Sequence, residues 1–190
     1  MKLGLGCIAV ADHNTIEGAL KLRDMAPPFR VIVAEEIRTT SGEVMGMFLK
    51  ETVPPGLSAE ESVARVKAQG GLVNLPHPCE SLSRSSPIAS EMLPTLLPQI
   101  DAIEVFNSRS LLPWDTARAR RLARDNGLPG TGGSDAHFPW EIGRTYVEMP
   151  EFTGHSDFLQ ALAQGRVVGH RSSPLVHACT TWTKLISLFR

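Results

Sequence analysis

Residues that can bind a metal ion or move a proton follow five short apolar runs in this sequence. They are Asp12-His13, Glu35-Glu36, His77, Asn107 and the segment Ser134-Asp135-Ala136-His137. Imidazole and carboxylate ligands together suit zinc, manganese or iron, whereas calcium and magnesium sites are richer in oxygen. The residue types therefore predict a divalent-metal site, and a carboxylate that bridges ions would let it hold two or more.

Such a metal site activates water as a nucleophile and neutralises the charge on a phosphoryl group during its transfer. Other catalytic schemes fit the sequence less well. Ser134 is not part of a Gly-x-Ser-x-Gly elbow, and Cys79 has no evident activating context. Gly132 and Gly133 have neither Walker A spacing nor the dinucleotide-binding fingerprint.

Taken singly, each candidate also has a structural interpretation. His77 could be a rigid corner between two prolines, and Asn107 could cap the segment that follows it. Glu36 could pair with Arg38 or Arg30. The Asp-His pair could form only a helix-capping turn, and the Gly-Gly-Ser-Asp segment could be a flexible loop. Five such placements at one end of a fold are more than a chance arrangement explains, so we favour a functional cluster. The histidines without this placement are interpreted as structural or surface residues: His155, His170 and His177.

The elements that must position these residues can also be read from the sequence. Near-continuous apolarity in the short runs favours strands buried on both faces, as in a parallel sheet. The predicted strands are Cys7–Ala11, Val31–Ala34, Val44–Leu49, Gly71–Leu75, Ile103–Phe106 and Leu128–Thr131. Five helices are predicted between these strands. The first begins near Glu17, the second runs from a Ser58–Glu61 capping box to Gly70, and the third covers Glu91–Leu97. The fourth runs from an Asp115 cap to Asn126, and the fifth from a Ser156 cap to Gln164. This alternation predicts an α/β fold, either a barrel or an open doubly wound sheet, in which the carboxyl ends of the strands converge where active sites form.

Composition limits the classes of function that the chain can have. Hydrophobic residues make up 42% and charged residues 21% of the 190 residues, as in globular proteins, and the net charge is −1. This charge gives no strong nucleic-acid-binding signal, and no apolar run is long enough to cross a membrane. Cys7, Cys79 and Cys179 are far apart and form no Cys-x-x-Cys pair. They favour a reducing compartment, so we expect a cytoplasmic protein.

Five segments, in order along the chain, resemble motifs of the polymerase and histidinol phosphatase (PHP) family. The segments are Ile8–Thr15, Val31–Ile37, Gly70–Pro78, Ile103–Asn107 and Gly133–His137. The resemblance implies a distorted (β/α)7 TIM-like barrel that binds two or three divalent ions of zinc, manganese or iron. It also implies a phosphoesterase that hydrolyses a small phosphorylated metabolite or nucleotide with a metal-activated water.

The resemblance assigns roles to residues by their positions in these motifs. The implied metal ligands are His13, Glu36, His77, Asp135 and His137, with Asn107 at a position where other members place a ligand. Among these, His13, Asp135 and His137 are implied to act in catalysis. Asp12 is expected to orient His13 from behind. Arg109 and Arg144 are candidates to contact the substrate phosphate, since a guanidinium forks onto phosphate oxygens, and a plain surface charge is the alternative for both.

One motif of the family has no counterpart here. Family members begin with a strand that ends in a His-x-His pair, and this sequence contains no His-x-His. Its start, Met1 to Gly6, resembles the end of the helix after that strand, so we expect the first βα unit to be lacking. The absent pair leaves open a PHP-like module that binds or regulates without turnover. Similar ligand chemistry leaves open a metal-dependent enzyme of the amidohydrolase type. We expect the barrel domain to cover residues 1–169, and residues 170–190 to form a loop and a helix that packs on this domain or on a partner.

Overall fold

The computed structural model of the protein describes residues 3–82, 87–173 and 175–176. Within these residues the strands are β1 (Cys7–His13), β2 (Arg30–Thr39), β3 (Gly42–Met47), β4 (Leu72–Leu75), β5 (Ala102–Asn107), β6 (Gly130–Gly133), β7 (Thr145–Glu148) and β8 (Arg166–Gly169). The helices are α1 (Glu17–Asp24), α2 (Ala59–Ala68), α3 (Leu93–Leu96), α4 (Pro113–Asp125) and α5 (His155–Ala163). Short 3-10 turns occupy Ser90–Met92, Leu97–Gln99 and Pro139–Glu141.

One sheet carries the candidate residues, and its strands follow the order β1-β2-β3-β4-β5-β6. The pairs β1–β2, β4–β5 and β5–β6 are parallel, whereas β3 is antiparallel to both of its neighbours. The sheet curls into a half-barrel, and β7 and β8 form a separate antiparallel pair. The α/β class is therefore confirmed, but the described residues form a half-barrel and do not close the full barrel that the family resemblance implies.

The largest difference from the sequence-based prediction is the β2–β3 hairpin. The predicted second strand ended before Glu35-Glu36, but β2 continues through both residues to Thr39. Gly42 begins β3 with a φ of 115°, and a Cβ there would lie 2.5 Å from the Pro87 carbonyl oxygen. Only glycine combines this backbone angle with this close approach. The chain therefore reverses at the hairpin, and β3 is antiparallel where a parallel strand was predicted.

Alternation along β2 gives each face of the sheet its own apolar core. Val33 and Ile37 pack in a cluster that includes α2, whereas Ile32 and Ala34 pack in a cluster that includes α5. Full burial of a side chain such as Ile37 stabilises the fold by about 1.5–3 kcal/mol. Because successive side chains alternate between faces, Glu36 leaves β2 on the same face as Ile32 and Ala34.

The starts of α2 and α4 test two predicted caps. The predicted Ser58 cap of α2 is confirmed, because the Ser58 hydroxyl accepts a hydrogen bond from the Glu61 amide at 3.1 Å. The return bond from the Glu61 side chain, the other half of the predicted capping box, stays a prediction. The prediction for α4 is wrong, because the helix begins at Pro113, where the missing N–H of proline costs nothing. Asp115 lies in the first turn instead, and its carboxylate accepts hydrogen bonds from the Ser81 amide and hydroxyl at 3.3 and 3.1 Å.

The predicted Ser156 cap of α5 is also wrong by position. The helix begins at His155, and the Asp157 carboxylate reaches back to the amides that precede it. It accepts hydrogen bonds from the Thr153 amide at 2.7 Å and the Gly154 amide at 2.9 Å. These bonds, led by the one from Thr153, lower the pKa of Asp157 to about 2, since they stabilise the ionised carboxylate.

The C-terminal third contains two strands that the sequence analysis did not predict. They are β7 and β8, which pair in antiparallel fashion with Thr145 opposite Gly169. The helix predicted within residues 170–190 lies outside the described residues, apart from residues 170–173 and 175–176, which precede it. In the part of the chain that the structure describes, no helix combines the length and apolar character needed to cross a membrane.

Candidate metal centre

The ends of β1 and β2 bring His13 and Glu36 side by side. The two residues are direct partners in the parallel β1–β2 pair, so their side chains leave the sheet on the same face. His13 Nδ1 lies 3.3 Å from Glu36 Oε2. The His13 side chain is 42% exposed and the Glu36 side chain 9% exposed. The pair therefore joins a buried carboxylate to an imidazole that solvent can reach.

His77 follows β4 and contacts the other oxygen of the same carboxylate. Its Nε2 lies 2.7 Å from Glu36 Oε1, and its backbone amide donates to Glu104 Oε2 at 2.7 Å. Its φ of 28° lies in the left-handed region, which costs a non-glycine residue of order 1–3 kcal/mol and is frequent at functional sites. The strained backbone and the buried imidazole together favour the functional interpretation of His77 over a simple corner between prolines.

Glu43 on β3 is the acidic neighbour that the sequence analysis missed. Its side chain is 1% exposed, and its oxygens lie 3.6 Å from His13 Nδ1 and 3.8 Å from His77 Nε2. Neither carboxylate oxygen of Glu43 accepts a hydrogen bond from the residues that the structure describes. Burying an ionised carboxylate is costly unless an opposite charge or hydrogen bonds compensate. We refer to His13, Glu36, Glu43 and His77 as the first cluster.

The first cluster fits a divalent cation. One ligand atom each from His13, Glu36 and Glu43 lies within 4.8 Å of the others. Two carboxylates held this close repel each other unless a positive charge lies near both. Imidazole with carboxylate is a donor set for zinc, manganese or iron. The geometry and the chemistry of the donors therefore agree with the sequence-based expectation of a metal site.

A second cluster forms where β5 and β6 end. The Asn107 side-chain amide donates to Glu104 Oε1 at 3.3 Å and to Asp135 Oδ2 at 3.4 Å. A Cβ on Gly133 would lie 2.3 Å from Glu104 Oε1, so a larger residue here would displace that carboxylate. Asp135 has a φ of 49°, which is a second left-handed backbone among the candidate residues. His137 Nδ1 lies 2.9 Å from the Asp135 carbonyl oxygen, and we refer to Glu104, Asn107, Asp135 and His137 as the second cluster.

A buried ion pair supports the loop that carries His137. Glu141 is fully buried, and its Oε2 accepts hydrogen bonds from the His137 amide at 3.1 Å and from Arg109 Nη1 at 3.3 Å. Its Oε1 accepts a hydrogen bond from the Ser172 hydroxyl at 3.3 Å. Arg109 also donates to the Val176 carbonyl oxygen at 3.2 Å. Residues near the C-terminal end of the described chain thus support the His137 loop through Glu141 and Arg109.

Alternation along β1 and β2 sends Asp12 and Glu35 to the face opposite His13. Asp12 lies against Gly18, where a Cβ would collide with the Asp12 carboxylate, so its role in orienting His13 stays a prediction. Glu35 is fully buried and accepts a hydrogen bond from the Val53 amide at 2.9 Å. Burial raises the pKa of Glu35, although the bond from Val53 opposes this shift.

The two arginines proposed from the sequence for phosphate binding have different surroundings. Arg109 is 3% exposed and is engaged by Glu141, which makes it a support of the second cluster. Arg144 is exposed, and its guanidinium donates to the Arg171 carbonyl oxygen at 3.3 Å. Contact of either arginine with a substrate phosphate stays a prediction.

Three buried acidic residues around the candidate centre escaped the sequence analysis. Glu104 left a readable signal, because a charge inside an otherwise apolar predicted strand is seldom buried without a partner. Glu43 left none, since its partners His13 and His77 meet it only through the hairpin. Glu141 also depends on long-range contact, because its guanidinium partner lies 32 residues earlier in the chain.

Known proteins are similar to this chain in sequence or in fold. Residues 113–167 match the PHP-associated family. The chain is 39% identical over 110 residues to the uncharacterized protein MJ1587 of Methanocaldococcus jannaschii, covering 56% of this chain and 61% of the relative. It is 37% identical over 145 residues to the uncharacterized protein MJ0417 of the same organism, covering 75% of this chain and 57% of the relative. The chain therefore spans about six tenths of the length of these relatives.

A solved structure shows the same fold. It is a two-domain protein from Bacteroides vulgatus, named as containing a predicted PHP-like metal-dependent phosphoesterase. Its TM-score is 0.69 at 19% identity, and the match covers 88% of this chain and 57% of that chain. The shared fold and the PHP-associated segment agree with the family resemblance found in the sequence motifs.

Proposed function

We propose that this chain, whose residues 113–167 match the PHP-associated family, is a metal-dependent phosphoesterase. The proposed substrate is a small phosphorylated metabolite or nucleotide. The observation that carries the proposal is the convergence of His13, Glu36 and Glu43, whose ligand atoms lie within 4.8 Å of one another. The names of the structural relatives support the hydrolase class, and the donor chemistry supports the metal dependence.

Two groups of residues would hold divalent ions of zinc, manganese or iron. The first group is His13, Glu36, Glu43 and His77, and the second is Asn107, Asp135 and His137. When bound, such ions supply Lewis acidity, because they neutralise phosphoryl charge and make water a stronger nucleophile at neutral pH. The contact of His77 with Glu36, at 2.7 Å, links two members of the first group and would fix both side chains for this purpose.

His137 is the residue best placed to handle a proton. A carbonyl oxygen only accepts hydrogen bonds, so the 2.9 Å contact with Asp135 requires the proton of neutral His137 to reside on Nδ1. Nε2 then carries the lone pair that a ligand or a proton acceptor needs. The side chain is 32% exposed, so a substrate can approach it. We assign His13, Asp135 and His137 to the reacting face of the centre.

A screen of phosphomonoesters and nucleotides with manganese or zinc tests the proposal on the full chain. We expect metal-dependent release of phosphate from the wild type, abolished by His137→Ala and by Asp135→Ala. Asp125→Ala is a matched control, since Asp125 is an exposed residue that pairs with Arg124 on α4. Turnover that is indifferent to His137→Ala and Asp135→Ala would contradict the assignment of these residues. Tight metal binding without turnover of any ester would favour the alternative of a binding module.

A further inference from the structure

Arg38 lies next to the first cluster because of the β2–β3 hairpin. It is two residues beyond Glu36 on β2, so both side chains leave the strand on the same face. In the antiparallel β2–β3 pair, Arg38 lies directly opposite Glu43. Side chains of such cross-strand partners are neighbours on one face of the sheet. The hairpin therefore places a guanidinium beside the buried carboxylates.

The guanidinium of Arg38 contacts Glu43 on one side and is exposed to solvent on the other. Its Nη2 lies 3.5 Å from Glu43 Oε1, and the same oxygen lies 3.6 Å from His13 Nδ1. The Arg38 amide donates to the Asn14 side chain at 2.9 Å, which fixes the backbone at this point of β2. The side chain is nevertheless 61% exposed, so it can meet a molecule that arrives from solvent.

We propose that Arg38 binds the phosphate group of the substrate at the first cluster, an inference that rests on the proposed phosphoesterase function. A guanidinium has five N–H donors in a fixed planar fork, and the ion pair with Glu43 engages one edge only. The remaining donors match two phosphate oxygens in a bidentate arrangement. A phosphomonoester carries more negative charge on these oxygens than a diester, so Arg38 favours monoesters.

The surroundings of other arginines sharpen the assignment. Arg109 is 3% exposed and is held in the ion pair with Glu141. Arg144 donates to the Arg171 carbonyl oxygen. Arg38 differs from both, because it combines solvent exposure with a direct contact to a member of the metal cluster. This combination is what a residue needs to hold a phosphate beside bound metal ions.

The test compares Arg38→Ala and Arg38→Lys with the wild type, using manganese-loaded full chain and p-nitrophenyl phosphate. We expect Arg38→Ala to raise KM, and the inhibition constant of inorganic phosphate, by roughly 10- to 100-fold, the scale of a charge-assisted hydrogen bond. The change in kcat should be smaller, and the manganese content should not change. Arg38→Lys should recover part of the affinity, since it restores charge without the fork. For the diester bis(p-nitrophenyl) phosphate, Arg38→Ala should raise KM by a smaller factor than for the monoester.

Arg23→Ala is the matched control, since Arg23 is an exposed arginine on α1 that pairs with Asp24. Unchanged KM and phosphate inhibition in Arg38→Ala would overturn the inference. Loss of manganese from Arg38→Ala would also overturn it, because Arg38 would then support the metal cluster only.

A second measurement separates this inference from the proposed function. If the wild type hydrolyses no ester, calorimetric titration of inorganic phosphate into the manganese-loaded chain still tests Arg38. Phosphate binding that is lost in Arg38→Ala and retained in Arg23→Ala supports the inference. Equal binding by the wild type and Arg38→Ala overturns it, as does the absence of phosphate binding to the metal-loaded wild type.

Discussion

The two clusters of the candidate metal centre are built in different ways. In the first, side chains contact one another, as His77 Nε2 contacts Glu36 Oε1 at 2.7 Å. In the second, the imidazole contacts backbone, because His137 Nδ1 lies 2.9 Å from the Asp135 carbonyl oxygen. A fully buried glutamate, Glu141, then holds the amide of the same histidine. The first cluster thus depends on side-chain contacts across the sheet, whereas His137 of the second cluster depends on the loop that carries it.

This difference indicates which changes each cluster can tolerate. Residues of the first cluster compensate each other's charge, so removal of one alters the electrostatics of the rest directly. In the second cluster, the His137 amide is held by Glu141 of the Arg109–Glu141 pair, so a change in this pair acts through the position of His137. Variants that separate these two modes would either sharpen the comparison or break it.

The largest effect is expected from Glu36→Gln. Glu36 contacts both His13, at 3.3 Å, and His77, at 2.7 Å, and glutamine keeps its size but removes the charge that both imidazoles face. We expect metal affinity to fall by more than the roughly 10- to 100-fold that supporting residues typically contribute. Isothermal titration with Mn²⁺ measures the loss. Glu17→Gln, on the exposed face of α1, is the control, and equal affinities for the two variants would refute the role of Glu36.

The next effect is on stability, from Glu141→Gln. Glu141 and Arg109 are a buried ion pair with side chains 0% and 3% exposed. Removing the charge of one partner of such a buried pair costs about 3–5 kcal/mol. Urea unfolding should show this loss, together with weakened activity that depends on His137. Glu148→Gln breaks the exposed pair with Arg166 and should change little. An unfolding free energy equal to that of the wild type would show that the second cluster needs no such brace.

A smaller effect, confined to metal affinity, is expected from Glu43→Gln. Within the described part of the chain, no group donates a hydrogen bond to the Glu43 carboxylate, so Glu43 acts in the first cluster through its charge. We expect Mn²⁺ affinity about 10- to 100-fold below that of the wild type. Glu35→Gln is the control, because Glu35 is as buried as Glu43 and lies on the adjacent strand, but its side chain faces away from His13. This variant should keep the Mn²⁺ affinity of the wild type. An equal loss of Mn²⁺ affinity in Glu35→Gln and Glu43→Gln would contradict a role for Glu43 that depends on its side chain facing His13.

The smallest effect lies outside both clusters, at Asp157. Its pKa is lowered to about 2 in the folded chain, against about 3.9 for an unperturbed aspartate. The lowered pKa means that this stabilisation is present above the unfolded pKa and lost as pH falls towards the folded value. The unfolding temperature of Asp157→Asn should therefore be slightly below that of the wild type at neutral pH. The two unfolding temperatures should converge as the pH falls to about 2. Ser156→Ala, at the cap predicted from sequence, should have no effect, and metal affinity should not change in either variant.

The sequence analysis located the parallel strands well, because their signal is local. Continuous apolar runs predicted β1, β4 and β5 close to their observed bounds, and the capping box located the start of α2. The orientation of β3 depended on a hairpin whose glycine meets the distant Pro87 carbonyl. Such a contact has no counterpart in local periodicity, so the prediction of a parallel strand failed there.

The candidate centre divides in the same way. Motif order led to His13, Glu36, His77, Asp135 and His137, and the structure groups them into two clusters at one end of the sheet. Glu43 joined only through pairing of β3 with β2, and Glu141 only through the fold of the loop after His137. Contacts between residues that are distant in the chain therefore could not be predicted from the sequence alone.

The central claim is that the first cluster binds a divalent ion, and crystals grown with Mn²⁺ test it most directly. An anomalous difference map recorded near the manganese edge locates the ion without reference to activity. We predict a peak among His13, Glu36 and Glu43 that is absent from Glu36→Gln crystals. A fully loaded crystal with no anomalous peak at these side chains, or with the same peak in Glu36→Gln, would contradict the account.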